Sequence, residues 1–184
     1  MRLTGGLDRG RRLRAPRGAV TRPTSAKVRE AIFNILGPPT EAPVLDLYAG
    51  TGALGLEALS RGAPRVVFVE RDHRARTALH RNLRELGLDE RASVLQADVR
   101  TAIRRLVALG ERFGWVFLDP PYAAGETAAV LAEVGGGQVL APGGVVVLEH
   151  DKRHRPPETV GRLMCTDRRG YGDTEVSFFR AGLS

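Results

Sequence analysis

Apolar positions follow two alternating rhythms along most of this chain. Short apolar runs at 44–48, 66–70, 93–97, 115–119 and 144–149 have the length and make-up of buried strands. Between them, helical spacing recurs at 53–60, 72–86, 99–109 and 126–134. Ahead of this regular part, Val28, Ile32, Ile35 and Leu36 share one face of a helix over 25–36, with Thr24 or Ser25 as its cap and Gly37-Pro38-Pro39 as its stop. Strands linked by helices of this length make right-handed βαβ units, whose parallel sheet is covered on both faces. The pattern predicts an α/β domain with a doubly wound, mostly parallel sheet. Near the end the rhythm breaks. The runs 160–167 and 175–180, parted only by 168–173, predict an antiparallel C-terminal hairpin at the sheet edge.

The first 24 residues have a different character, so the chain divides into a basic arm over 1–24 and a domain over 25–184. Arg2, Arg9, Arg11, Arg12, Arg14, Arg17 and Arg22 face only Asp8 in charge, and glycines interrupt them. A disordered tail is one reading, because so little apolar surface offsets the ordering entropy. The other is a hairpin or arm anchored by Leu3, Leu7 and Leu13 that grips RNA through Arg9, Arg11, Arg12, Arg14 and Arg22.

Composition narrows the classes. A chain of 184 residues with 42% hydrophobic positions suits one domain, or one with a short appendage. Lys and Arg number 28 against 21 Asp and Glu, a net charge of +7, and Lys27 and Lys152 are the only lysines. Arginine binds phosphate in planar, bidentate fashion, so the bias fits a nucleic-acid partner; a general drift toward arginine is the plain alternative. The single cysteine, Cys165, leaves no intramolecular disulfide or cysteine-rich metal site. His73, His80, His150 and His154 lack zinc spacing, and no metal is expected. No apolar run approaches a membrane span and no hydrophobic signal segment opens the chain, so a soluble, cytoplasmic monomer is expected.

The first strand-to-helix turn carries chemistry. After Val44-Leu-Asp-Leu-Tyr48 comes Ala49-Gly-Thr-Gly-Ala-Leu-Gly, so Gly50, Gly52 and Gly55 fit G-x-G-x-x-G between a strand and a helix. Such a turn lets backbone approach a nucleoside-containing cofactor, with helix N–H groups to meet it. Glu70 closes the second strand, where an acid bonds ribose hydroxyls. Asp46 lies within the first strand, where a carboxylate suits a cationic group and would repel a dinucleotide's pyrophosphate. S-adenosylmethionine carries an ammonium and a sulfonium there, so the set favours that cofactor over NAD. Asp98 suits the adenine amine, or an N-cap for the helix from Val99, or both.

Asp119-Pro-Pro-Tyr closes the fourth strand, which should end in the same crevice. An exocyclic base amine is a poor nucleophile while its lone pair is conjugated into the ring. Two acceptors for its hydrogens, the Asp119 carboxylate and the Pro120 carbonyl, favour pyramidalisation and free that lone pair. Pro120 and Pro121 make the loop rigid. Tyr122 offers a ring for a flipped base, worth roughly 1–3 kcal/mol of stacking. The plain alternative is an Asx-Pro turn that merely ends a strand.

These residues resemble a known group. Asp119-Pro-Pro-Tyr122 and Leu45-Asp-Leu-Tyr-Ala-Gly-Thr-Gly-Ala-Leu-Gly55 resemble the motifs of S-adenosylmethionine-dependent amino-methyltransferases. Gly5-Gly-x-x-Arg-Gly-Arg, Thr21-Arg-Pro-Thr-Ser-x-x-Val-Arg-Glu-Ala-Ile-Phe-Asn, Gly55-Leu-Glu-Ala-Leu-Ser-Arg-Gly-Ala and Tyr171-Gly-Asp-Thr resemble more narrowly the bacterial RsmD family of 16S ribosomal RNA guanine-N2 methyltransferases. The resemblance implies a seven-stranded, Rossmann-like methyltransferase fold with its last strand inserted antiparallel. It implies catalysis by Asp119, Pro120, Pro121 and Tyr122, with a guanine in 16S RNA or a 30S particle as acceptor. It further implies cofactor contacts from Arg22, Thr24, Asp46, Tyr48, Gly50, Thr51, Gly52, Ala53, Glu70, Arg71, Asp98 and Asp119. Tyr48 departs from the more usual Phe, and the Gly135-Gly-Gly linker is short. A DNA amino-methyltransferase, a dinucleotide oxidoreductase and a non-catalytic assembly factor are the alternatives. The first lacks a target-recognition domain here, and Asp46 with the D-P-P-Y loop opposes the second.

Overall fold

A computed structural model of the protein describes residues 1–16, 25–121 and 124–182. Helix α1 (Ala26–Leu36) precedes the alternating part: β1 (Val44–Leu47), α2 (Ala53–Ser60), β2 (Val66–Val69), α3 (His73–Leu86), β3 (Ala92–Leu95), α4 (Val99–Ala108), β4 (Phe113–Leu118), α5 (Ala124–Gly136) and β5 (Leu140–Asp151). Strands β6 (Thr159–Val160), β7 (Leu163–Tyr171) and β8 (Thr174–Ala181) follow. The described strands form one 8-stranded sheet in the order β3-β2-β1-β4-β5-β8-β7-β6. The first five are parallel, and β8 enters antiparallel between β5 and β7.

The local sequence explains the helix ends. Ser25 and Asp72 cap α1 and α3 through bonds from Val28 N–H and Ala75 N–H, and Asp98 caps α4 through bonds from the N–H groups of Arg100 and Thr101. Strand residues then alternate between two cores. Val44 and Asp46 face α1, α2 and α3, where Phe33 packs edge-on against Trp115 and Phe117 at 5.9 and 5.7 Å. Leu45 and Leu47 face α4 and α5, with Ile103, Leu106, Val130 and Leu131. Both faces being covered, β1, β2 and β4 are buried throughout.

β5 runs longer than expected, over Leu140–Asp151, and the run 160–167 is divided between β6 and β7; three further differences bear on the site and the sheet edge. Among the described residues there are eight strands, not seven, because the two-residue β6 adds an edge too short to show periodicity. The hairpin loop expected over 168–173 shrinks to Gly172-Asp173, since pairing of β7 with β8 continues to Tyr171–Thr174. Tyr48, Glu70 and Asp119 lie just past their strands; Tyr48 has φ 60°, which no strand accommodates.

The start of the chain folds onto this domain. Arg2 and Arg12 pair as an antiparallel bridge, and Leu3 and Leu13 are buried in the core beside α2 and α3. Leu7 is no anchor: it is 96% exposed at the hairpin tip, where its backbone N–H bonds the Ser60 carbonyl. Among the described residues, no helix is long and apolar enough to cross a membrane.

Candidate active site

Four parallel strands end on one line. Leu118 pairs with Leu47, Leu47 with Val69 and Val69 with Leu95. The next residues in the first three strands are Asp119, Tyr48 and Glu70, so the three predicted site residues emerge side by side. This is the crevice at the carboxyl ends of a doubly wound sheet.

The glycines of the turn divide their tasks. A Cβ on Gly50, at φ +57°, would meet nothing within 4 Å, so the loop is open on that side. At Gly52 a Cβ would lie 2.3 Å from Leu79 Cδ1, and at Gly55 2.3 Å from Phe68 Cε1. The second and third glycines therefore let α2 pack against α3 and β2, and only the first leaves room for a ligand. Thr51 and Ala53 flank Gly52, which is the N-cap of α2.

The acids are braced by backbone. Asp46 is buried, and its Oδ2 accepts the Gly55 N–H at 2.9 Å. Burial pushes its carboxyl up to about 7; the Gly55 bond opposes that rise, and the charge of Glu70 adds to it. Glu70 accepts the Gly50 N–H through one oxygen and the Asp72 N–H through the other, both at 2.8 Å. It thus ties the glycine loop to the start of α3, and each oxygen keeps a lone pair for a hydroxyl. Asp98 is exposed, and as an N-cap it accepts the N–H groups of Arg100 and Thr101. Arg71 is exposed between Glu70 and Asp72. Tyr48 donates its hydroxyl to Glu126 at 3.0 Å, and burial with this bond holds its phenol protonated far above the ordinary range.

On the opposite side of the crevice, Asp119 is half-buried, Pro120 buried and Pro121 exposed. Tyr122 lies outside the described residues, as do Arg22 and Thr24. In the arm, Arg9, Arg11, Arg12 and Arg14 are all exposed. Arg11 approaches Asp8 at 3.8 Å and also bonds the Glu85 carbonyl, and Arg14 pairs with Glu85 at 3.2 Å.

Sequence reasoning missed what docks the arm. Glu57, fully buried in α2, accepts Thr4 N–H at 2.9 Å, Thr4 hydroxyl at 2.7 Å and Arg61 Nε at 3.0 Å, with Arg29 Nε 3.7 Å away. The available signal was a glutamate set in the apolar run Leu-Gly-Leu-Glu-Ala-Leu, on a helix buried all round. Asn82, also buried, bonds both backbone groups of Arg14. Elsewhere, a cavity of about 370 Å³ is lined by Ile103, Val107 and Glu133 among others. It sits between the C-terminal halves of α4 and α5. Among the described residues, no group of three or more His, Cys, Asp or Glu side chains could hold a metal.

A parallel sheet with β8 inserted antiparallel, a glycine turn after β1 and Asp-Pro-Pro after β4 together define a methyltransferase-type α/β domain. The chain belongs to the family described as Conserved hypothetical protein 95, whose model matches residues 1–180. It is 41% identical over 181 residues to YlbH of Bacillus subtilis, covering 98% of each chain. It is 40% identical over 139 residues to the ribosomal RNA small subunit methyltransferase D of Escherichia coli K12, covering 73% of this chain and 68% of that one. The solved structure of YhhF from Escherichia coli matches with a TM-score of 0.84 at 29% identity, over 98% of this chain and 97% of the other. The resemblance to the RsmD family, and its fold, are borne out.

Proposed function

We propose that this protein transfers a methyl group from S-adenosylmethionine to the exocyclic N2 amine of a guanine in small-subunit ribosomal RNA. One observation carries the reading: Asp119-Pro-Pro emerges from β4 beside the glycine turn of β1, in a relative of a small-subunit RNA methyltransferase. The open side of Gly50 fits the cofactor, since a side chain there would fill the space a nucleoside needs. When bound, the cofactor supplies an electrophilic methyl group on its sulfonium. Asp46 supplies negative charge for the ammonium, Glu70 accepts ribose hydroxyls, and Asp98 receives the adenine amine. Gly50, Thr51, Gly52 and Ala53 present backbone, with Tyr48 and Arg71 at the rim, and Arg22 and Thr24 add further cofactor contacts.

Asp119 and the Pro120 carbonyl accept the two hydrogens of the guanine amine, and its lone pair turns toward the methyl group. Pro121 keeps that loop rigid, and Tyr122 stacks on the base. No general base is required before transfer, because the amine gains its positive charge in the transfer and loses a proton afterwards. Holding donor and acceptor in line supplies the remaining acceleration. Arg9, Arg11, Arg12, Arg14 and Arg22 bind the RNA backbone.

The test is transfer of tritiated methyl from S-adenosylmethionine to 30S particles, naked 16S RNA and DNA, followed by nucleoside analysis. Label in N2-methylguanosine is the expected outcome. Label in N6-methyladenine sinks the guanine reading, and no label on any substrate leaves only an RNA-binding factor.

A further inference from the structure

Asn82 stands where the arm meets the glycine turn. It lies on α3, 1% exposed, and its carboxamide is committed on both sides. Oδ1 accepts the Arg14 N–H at 2.7 Å. Nδ2 donates to the Arg14 carbonyl at 3.1 Å and to the Thr51 carbonyl at 3.0 Å. Two carbonyls on one end and an N–H on the other fix the amide's orientation, because only the nitrogen carries hydrogens. Thr51 is the residue between Gly50, the ligand-facing glycine, and Gly52, which packs on Leu79 one turn earlier in the same helix. One turn later, Glu85 receives Arg14 at 3.2 Å. A single face of α3 thus touches the cofactor turn and the basic arm at once.

We infer that Asn82 is a positioning residue that couples the arm to the cofactor turn, so that docking of one steadies the other. This rests on the reading of the turn as a cofactor site and of the arm as an RNA grip. The physical basis is burial: a carboxamide sealed from water loses more by giving up a partner than it gained by making the bond. If the arm leaves, the Asn82 amide has lost two of its three partners and re-aims, and the Thr51 carbonyl loses its fixed donor. The converse follows by linkage, since any change in turn geometry that the arm favours must favour the arm equally.

The experiment is a double-mutant cycle with two readouts. Leu13→Ala loosens the arm and leaves the residues of the turn and Asn82 unaltered. In the unaltered background it should speed amide hydrogen exchange at 50–52 and weaken S-adenosylhomocysteine binding, by roughly fivefold to tenfold for the one lost bond to Thr51. In an Asn82→Ala background the same change should add little, because the link is already cut. Asn82→Asp guards against simple unfolding. It keeps the acceptor for Arg14 N–H but turns oxygens toward the Arg14 and Thr51 carbonyls, so cofactor binding should fall more than arm protection does. A merely structural role would lower both together. Additive effects of Leu13→Ala and Asn82→Ala, or turn exchange indifferent to Leu13→Ala, overturn the inference. Exchange needs no ligand, so failure of the cofactor reading is seen separately, as no S-adenosylhomocysteine binding by the unaltered protein.

Discussion

The Tyr48 hydroxyl donates a 3.0 Å hydrogen bond to Glu126, joining the end of β1 to the first turn of α5. Between β4 and α5 runs the loop that begins with Asp119-Pro-Pro, so this bond holds the far end of the loop to the strand beside its near end. The hydroxyl is what tyrosine adds over a phenylalanine at this position. Tyr48→Phe should leave the fold intact and cost about 1 kcal/mol at the loop, read as a roughly fivefold fall in turnover. Cofactor affinity, measured by calorimetry, should change little. Glu126→Gln keeps an acceptor oxygen and should behave close to the unaltered protein; a large loss there means the charge, not the bond, matters.

Asp46 sets stability against binding. Its carboxyl is raised from the ordinary value to about 7 by burial, with Glu70 adding to it. A carboxyl raised in the folded state binds its proton more tightly there than in the unfolded chain. It therefore favours folding at low pH, and this contribution is lost as pH rises through about 7. Asp46→Asn retains an oxygen for the Gly55 N–H and removes the charge. Thermal stability of the ligand-free protein should rise at pH 8, by on the order of a few kcal/mol at most, and be unchanged near pH 4. Affinity for S-adenosylhomocysteine should collapse in the same variant. In the unaltered protein that affinity should fall as pH drops below about 7, as the carboxyl takes up its proton. Binding that survives Asp46→Asn removes the residue from the ammonium's site.

What could be read in advance follows the range of each interaction. The helices, the caps at Ser25 and Asp98, and the strands were legible because periodicity and capping are local. Asp46, the glycine turn, Glu70 and Asp119 were assigned to one crevice because strand direction alone puts all carboxyl ends together. Which glycine is left open was not legible: it depends on Leu79 and Phe68, brought in from α3 and β2. Nor was Glu70's hold on the Gly50 N–H, since that needs the two strand ends in register. The arm was hardest. Thr4 meets Glu57 53 positions away and Arg14 meets Asn82 68 positions away, and no local pattern reports such pairs.

Glu57 should prove the arm's main fastening. Its carboxylate receives the backbone and hydroxyl of Thr4 and helps to balance the fully buried guanidinium of Arg29, which also donates to the Arg2 carbonyl at 2.5 Å. Glu57→Gln removes a negative charge from the interior and leaves positive charge there undercompensated. Such losses cost about 3–5 kcal/mol. The melting temperature should drop, and the amides of Leu3 and Leu13 should exchange faster than those of β4. Adding Arg29→Met should restore part of the stability but not the arm's protection, because Thr4 still lacks its carboxylate. Full restoration of both would assign the docking to packing by Leu3 and Leu13 alone.

Transfer and binding should separate at Asp119. The residue follows β4, half-buried, while the glycine turn that would hold the cofactor follows β1 and is braced by Glu70 and Asn82. Asp119→Ala takes one of two acceptors from the amine and leaves that brace untouched. Methyl transfer should fall by at least 10²–10³, the scale seen when one pre-organised partner of a transition state is removed. S-adenosylhomocysteine affinity should stay within a few fold. Asp119→Asn retains an acceptor oxygen without the charge and should recover part of the activity, since pyramidalising the amine needs an acceptor more than it needs a base. If the asparagine variant is as inactive as the alanine one, the carboxylate's charge is essential, either to stabilise the amine cation or to take its proton. If cofactor binding is lost in both, Asp119 belongs to the cofactor's side of the crevice and the acceptor must be sought in the Pro120 carbonyl and its neighbours.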